Sequence, residues 1–288
     1  MRKDGPMRLL VTGGAGMLGQ AVAAAATRLG HDVFALSRAE LDITDADHVR
    51  RVIAAAEPRA VINCAAWTDV DGAETAEAAA TAVNGAGAGN VARAAAEVGG
   101  RIVHVSTDYV FDGTKREPWL ESDAVNPIGA YGRSKLVGEE QVAAATDEHA
   151  IVRTAWLFGA GGRNFVDTML ALGDERDEVS VVTDQVGSPT WSVHLAEALV
   201  ELAERRGDVG ILHAAGAGAC SWYELAVEVF ARAGVRCRVL PTTAARFPRV
   251  APRPAYSVLG SERDDAPVLA PWQEGLAAYL TERAVVAR

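Results

Sequence analysis

Tyr131 and Lys135 stand four residues apart in Tyr131-Gly132-Arg133-Ser134-Lys135, so on a helix they share one face. A phenol and an ammonium held together suit proton transfer to a carbonyl oxygen. When a ketone accepts a hydride its oxygen becomes negative, and an acid must protonate it. A free phenol ionises near ~10 and a neighbouring ammonium favours tyrosinate, so the pair predicts a lowered phenol pKa. Thr107, in Ser106-Thr107-Asp108, brings a hydroxyl able to hydrogen-bond the same oxygen. An isolated pair at this spacing would read as a surface contact. Lysine, however, occurs only at 3, 115 and 135, and one of these falls in the chain's only Tyr-x-x-x-Lys. That favours catalysis.

A hydride needs a donor, and Gly13-Gly14-Ala15-Gly16-Met17-Leu18-Gly19 is a seat for one. Gly13, Gly16 and Gly19 permit a tight turn, close approach to a pyrophosphate and close helix packing; Gly14, Gly16 and Gly19 also fit GxGxxG. Met17 and Leu18 open the helix whose free N–H groups would face the phosphates. An NAD-selective site carries Asp or Glu at the end of the second strand, and Ser37-Arg38 stands there instead. Arg38 suits a 2′-phosphate. NADPH is therefore the expected cofactor, with NADH tolerated.

The elements that would position these residues alternate between short apolar runs and longer Ala-rich stretches, as in βαβ units. Strands are predicted at Arg8–Thr12, His31–Leu36, Ala60–Cys64, Arg101–Ser106 and Ala150–Ala155. Helices are predicted at Met17–Leu29, about Thr44–Ala56 capped by Thr44 or Asp45, Ala73–Val98 and Ala130–Thr146. Beyond Trp156 the rhythm loosens, with strands at Val179–Thr183 and Arg236–Leu240 and helices at Ser192–Arg205 and Ser221–Ala233. The expected class is α/β: a Rossmann-like doubly wound parallel sheet with a smaller α/β substrate-binding region toward the C-terminus. Residues 7–155 would form the dinucleotide domain, with 192–214 returning to it. Residues 156–191 and 215–288 would bind substrate, and 1–6 would be a frayed tail. Ligands of such sheets lie beyond the carboxyl ends of the strands, which gives Thr107 and the glycine loop a reason to meet.

Composition sets outer limits. The 288 residues are 49% hydrophobic and 23% charged, ordinary globular usage. A net charge of −10 argues against a nucleic-acid or anionic-membrane surface. No run approaches the roughly 18 apolar residues of a membrane span. Cys64, Cys220 and Cys237 form no CxxC and read as reduced thiols, so a cytoplasmic location is expected.

The glycine loop, Thr107 and the Tyr131/Lys135 pair resemble the extended branch of the short-chain dehydrogenase/reductase superfamily. Longer strings resemble its dTDP-4-dehydrorhamnose reductase family. They are Leu41-Asp42-Ile43-Thr44-Asp45, Asn63-Cys64-Ala65-Ala66-Trp67-Thr68-Asp69-Val70-Asp71, Ser106-Thr107-Asp108-Tyr109-Val110-Phe111-Asp112-Gly113, and Arg153-Thr154-Ala155-Trp156-Leu157-Phe158-Gly159. Asp184-Gln185-Val186-Gly187-Ser188-Pro189-Thr190 and Arg253-Pro254-Ala255-Tyr256-Ser257 extend the match through both halves. The resemblance implies NADPH-dependent reduction of the 4-keto group of a dTDP-6-deoxy-4-hexulose, by Thr107, Tyr131 and Lys135. It sets Asp42 and Ile43 at the adenine, and Ala65, Ala66 and Trp67 toward the nicotinamide. Thr107, Asp108 and Trp156 would touch the sugar, and Arg253 from the basic stretch would reach the substrate diphosphate. The substrate would be a dTDP-linked 4-keto-6-deoxy sugar, and the protein a monomer or homodimer.

Departures from the family pattern sharpen this. Some members bridge a dimer through Mg²⁺ using an acid just after the third glycine; here Gln20-Ala21-Val22 follows Gly19, so no metal is expected. Asp108 is followed by Tyr109 rather than the glutamate of dehydratases, and no Cys/His pair for epimerisation is evident. Two alternatives remain open at this level: a 4-ketoreductase of another deoxysugar, and a non-catalytic dinucleotide-binding regulatory subunit.

Overall fold

The computed structural model describes residues 5–205, 207 and 210–286. Most of the expected 1–6 tail, parts of the 192–214 segment and the last two residues lie outside them. Six parallel strands form one sheet, in the order Gly210–His213, His149–Thr154, Arg101–Thr107, Ala60–Asn63, Arg8–Thr12, Asp32–Leu36. Every register is parallel, so all six carboxyl ends reach one edge. The chain leaves Arg8–Thr12 toward one side and returns to pair Ala60–Asn63 on the other. A crevice for ligands opens at that reversal.

Strand alternation explains the two layers of helix. Leu9, Val11, Ile62, Val103 and Val152 face Leu18, Val22 and Ala26 of the helix Met17–Arg28 and Leu195 and Leu199 of Ser192–Glu204. Leu10, Val61, Ile102 and Ile151 face the other way, onto Val49 and Ile53 of Ala46–Ala56, Val91 of Ala88–Glu97 and Val142 of Ala130–Ala145. Each such Leu, Ile or Val contributes about 1.5–3 kcal/mol on burial. A third cluster gathers Val166 and Leu170 of Phe165–Glu175, Leu225 and Phe230 of Trp222–Ala233, and Leu276 and Tyr279 of Trp272–Val286. The helices Phe165–Glu175 and Trp272–Val286 have no counterpart in the sequence expectation.

One expected helix is corrected. Residues 73–98 are not continuous: Val70–Thr75 is capped by Asp69, which accepts from Gly72 N–H at 2.9 Å, and the backbone breaks at Ala76. Glu77–Thr81 then runs into a π-helical turn, Ala82–Gly87, before Ala88–Glu97. The alanine run carries no proline, and its glycines at 85, 87 and 89 lie beyond the break, so its own periodicity reads as one helix. The interruption is imposed by Asn84, whose buried side chain bonds the Trp67 backbone instead of facing solvent. Other boundaries move by one or two residues. Asp45 is the cap of Ala46–Ala56, accepting from His48 N–H.

Candidate active site

A cavity of about 860 Å³ lies along the carboxyl edge of the sheet. Its walls come from the segments just past each strand end: the glycine loop after Thr12, Ala65–Thr68 after Asn63, Thr107 and Asp108, then Ala155 and Trp156. The helix Ala130–Ala145 brings Tyr131 and Lys135 to the same space. Of the expected residues, Gly13, Gly16, Met17, Leu18, Gly19, Arg38, Asp42, Ile43, Ala65, Ala66, Trp67, Thr107, Asp108, Tyr131, Lys135 and Trp156 all line it. Ser37 and Arg253 do not.

The glycine loop packs closely on the chain's own backbone. Gly13 has φ +68°, and a Cβ there would lie 2.8 Å from the Ala65 backbone. A Cβ on Gly19 would lie 2.2 Å from the Gly13 carbonyl oxygen. The helix Met17–Arg28 begins without a side-chain cap and without an acid in its first turn, which leaves N–H groups and partial positive charge facing the cavity. These residues fit the diphosphate of a dinucleotide.

At the adenosine end, two expected donors already have partners. Ser37 gives both its N–H (2.9 Å) and its hydroxyl (2.7 Å) to Glu40. Arg38 is exposed and lies 3.6 Å from Asp42. Asp42 is held below the usual carboxylate range chiefly by Thr44, with Arg38 adding less. Arg253 is engaged by Asp71 through Nη1 and Nη2, both at 3.0 Å, which fixes the basic stretch to the helix Val70–Thr75.

Around Tyr131 burial decides the electrostatics. Lys135 is 2% exposed and donates to the Val105 carbonyl at 2.6 Å. Desolvation lowers its pKa to about 8, opposed by the carboxylate of Glu139. The phenol of Tyr131 is pushed up to about 12 by burial, with the neighbouring Thr107 hydroxyl pulling the other way. The lowered phenol pKa expected from the Tyr/Lys spacing is therefore corrected: burial raises it, and the ammonium is turned toward the Val105 carbonyl. Asp108 is buried and raised to about 6, with the hydroxyls of Ser257 and Thr107 pulling it back down. The Thr107 hydroxyl donates to Asp108 at 3.0 Å and accepts from Tyr109 N–H at 3.2 Å.

Several residues escaped the sequence reading. Asn84, in the π-turn, accepts from Trp67 N–H at 2.8 Å and donates to the Trp67 carbonyl and the Ser134 hydroxyl. Ser134 donates to the Tyr131 carbonyl at 2.7 Å, so Asn84 ties the Trp67 loop to the helix Ala130–Ala145. Glu139 receives Ser106 at 2.6 Å and a bidentate Arg153 at 2.9 and 2.7 Å, all buried. Its i+4 spacing from Lys135 was the available signal. Trp222 stacks on Trp156 at 3.5 Å and 3°, and Trp156 itself has φ +45°. Arg163 and Cys64 also line the cavity. Among the described residues no group of three or more His, Cys, Asp or Glu is placed to hold a metal ion.

The parallel sheet, the glycine cradle and the Thr107/Tyr131/Lys135 set at one edge define an extended short-chain dehydrogenase/reductase. Within that class the chain belongs to the family described as RmlD substrate binding domain, matched over residues 7–285. A dTDP-4-dehydrorhamnose reductase of Mycobacterium tuberculosis (strain CDC 1551 / Oshkosh) is 46% identical over 282 residues, 95% of this chain and 92% of that one. A dTDP-4-keto-6-deoxy-D-glucose reductase of Streptomyces niveus is also 46% identical, over 88% of this chain and 89% of its own. The crystal structure of a dTDP-4-dehydrorhamnose reductase of Bacillus anthracis in complex with NADP superposes with a TM-score of 0.93 at 37% identity. That match covers 96% of this chain and all of the other.

Proposed function

We propose that this protein reduces the 4-keto group of a dTDP-6-deoxy-4-hexulose with NADPH, converting dTDP-4-dehydro-L-rhamnose to dTDP-L-rhamnose. The observation that carries the reading is the single cavity joining a glycine cradle to Thr107, Tyr131 and Lys135. When bound, the reduced nicotinamide supplies the hydride. The chain's residues do the rest. Gly13, Gly16 and Gly19 with the opening of the first helix hold the diphosphate; Arg38, Asp42 and Ile43 line the adenosine end; Ala65, Ala66 and Trp67 line the path toward Tyr131. Thr107 orients the substrate oxygen and Tyr131 protonates it. A phenol held near 12 is fully protonated at neutral pH, the form that reduction consumes. The ammonium of Lys135 offsets the charge left on the phenolate. Asp108 and the Trp156/Trp222 stack form the far wall, where a sugar would lie.

The Streptomyces niveus relative, equal in identity to the mycobacterial one, supports a second reading in which the ketone belongs to another deoxysugar. We also propose that NADH is accepted, that the enzyme acts in the cytoplasm, and that residues 156–191 and 215–288 form its substrate-binding part. Incubating the protein with NADPH and a panel of dTDP-4-keto-6-deoxyhexoses, then assigning the product C4 configuration by NMR, tests the reading. Turnover of the rhamnose precursor is expected. Turnover of a different sugar alone selects the second reading, and no turnover of any defeats both.

A further inference from the structure

Trp156 stands just past the strand His149–Thr154 with φ +45°, a left-handed backbone that a bulky side chain adopts only where its surroundings hold it. Three contacts do so. Its carbonyl accepts the Thr190 N–H at 3.2 Å. Its indole lies parallel to that of Trp222, with 3.5 Å between ring centroids and 3° between planes. A Cβ on Gly187 would come within 2.4 Å of Cε2 and 2.5 Å of Nε1 of the same indole, so only glycine leaves the ring room. Gly187 and Trp222 are themselves joined. Val186–Gly187 pairs antiparallel with Cys220–Ser221, Cys220 opposite Gly187, and Trp222 follows directly as the first residue of the helix Trp222–Ala233. Ser221 fixes that helix start through a capping box with Glu224. Phe165 then packs on Trp222, ring centroids 4.5 Å apart. Trp156 and Trp222 are both half-buried and both line the cavity, so the stack is no core pair closed off from ligands.

We infer that Trp222 is a positioning residue for the sugar: with Gly187 it fixes the indole of Trp156 as a wall that the sugar ring meets already in place. A rigid ring held at a set angle presents one shape, and a ketone resting against it reaches Thr107 and Tyr131 in one orientation. Without Trp222 the left-handed backbone at Trp156 loses a contact that offsets its strain, and the indole is released with it. The inference rests on the proposed function, because it needs a sugar at that wall, and it assigns Trp222 a part that is played through Trp156.

Calorimetric titration of the NADPH-loaded full chain with dTDP-L-rhamnose, the product of the proposed reaction, and with dTDP separates sugar contacts from nucleotide contacts. Trp222→Ala is expected to weaken dTDP-L-rhamnose at least about tenfold, and dTDP and NADPH less than about twofold. Gly187→Ala, which keeps both indoles but displaces that of Trp156, gives the same pattern. Trp222→Phe retains a flat ring for the stack and stays within about threefold of wild type, whereas Trp222→Leu fills the space without one and follows Trp222→Ala. Unchanged NADPH affinity shows that each variant is folded. If dTDP and dTDP-L-rhamnose weaken together, or Trp222→Leu binds the sugar nucleotide as well as Trp222→Phe, Trp222 only packs and the inference is overturned. A wild type that binds neither dTDP nor dTDP-L-rhamnose defeats the proposed function and this inference with it, an outcome set apart because it is read before any substitution is made.

Discussion

A phenol at about 12 and an ammonium at about 8 give the site a pH signature that each residue can be asked to reproduce. Lys135 must be charged and Asp108, raised to about 6, is ionised at neutrality. The pH profile of kcat/KM is expected to fall above about 8 as Lys135 loses its proton and below about 6 as Asp108 gains one. Asp108→Asn should erase the acid limb and leave the alkaline one; an unchanged acid limb assigns it elsewhere. Tyr131→Phe should lower kcat at least about a hundredfold while the NADPH Kd stays within about threefold, since the lost hydroxyl acts on a proton rather than on binding. Asp108 also bears on stability. Its folded pKa lies above its ordinary 3.8, so its proton is bound more tightly in the folded chain, and stability falls as pH rises from about 4 through about 6. Asp108→Asn is expected to stabilise the fold by on the order of 2–3 kcal/mol at pH 7.5 and by little at pH 4, read from urea midpoints. Equal gains at both pH values would show that burial of the charge is not the cost.

At the scale of elements, the site depends on how closely the helix Ala130–Ala145 approaches the π-turn. Gly138 lies where any Cβ would sit 2.2 Å from the Asn84 carbonyl oxygen. Gly138→Ala is expected to push the helix Ala130–Ala145 away, costing about 1–3 kcal/mol by overpacking. Because Asn84 links Trp67 to Ser134, the same shift should reduce kcat/KM at least about tenfold. Wild-type kcat with only a lower Tm would mean the junction is structural alone. This junction also marks where the sequence stopped being legible. Strands such as Arg8–Thr12 and Ala60–Asn63 announce themselves because both faces are buried and apolar. The meeting of Tyr131 and Lys135 at the cavity was legible because one helix carries both. The break at Ala76 was hidden, since alanine suits any helical geometry and Asn84 acts through a partner 17 residues away. The Trp156/Trp222 contact was hidden for the same reason, its members lying 66 positions apart in sequence.

Across the whole molecule the cavity is shared between the sheet edge and later segments: Gly161, Gly162, Arg163 and Trp222 close what Gly13–Gly19 opens. The sheet was foreseeable from βαβ rhythm. The helices Phe165–Glu175 and Trp272–Val286 were not, because they pack against each other and Trp222–Ala233 rather than on a repeating layer. A ligand bridging both halves of such a cavity should stabilise them together. NADPH at about a hundred times its Kd adds roughly 2.7 kcal/mol, which is expected to raise Tm by about 4–5 °C in a single transition. Two transitions, only one of them moved, would show that the halves melt apart. Metal removal is the companion measurement. Gln20-Ala21-Val22 puts no acid on the first helix after Gly19, and the described residues bring no ligating group together elsewhere. EDTA is therefore expected to leave Tm, NADPH affinity and the sedimentation coefficient unchanged. A fall in any of them, reversed by added Mg²⁺, would establish a bridging cation held by ligands from two copies of the chain.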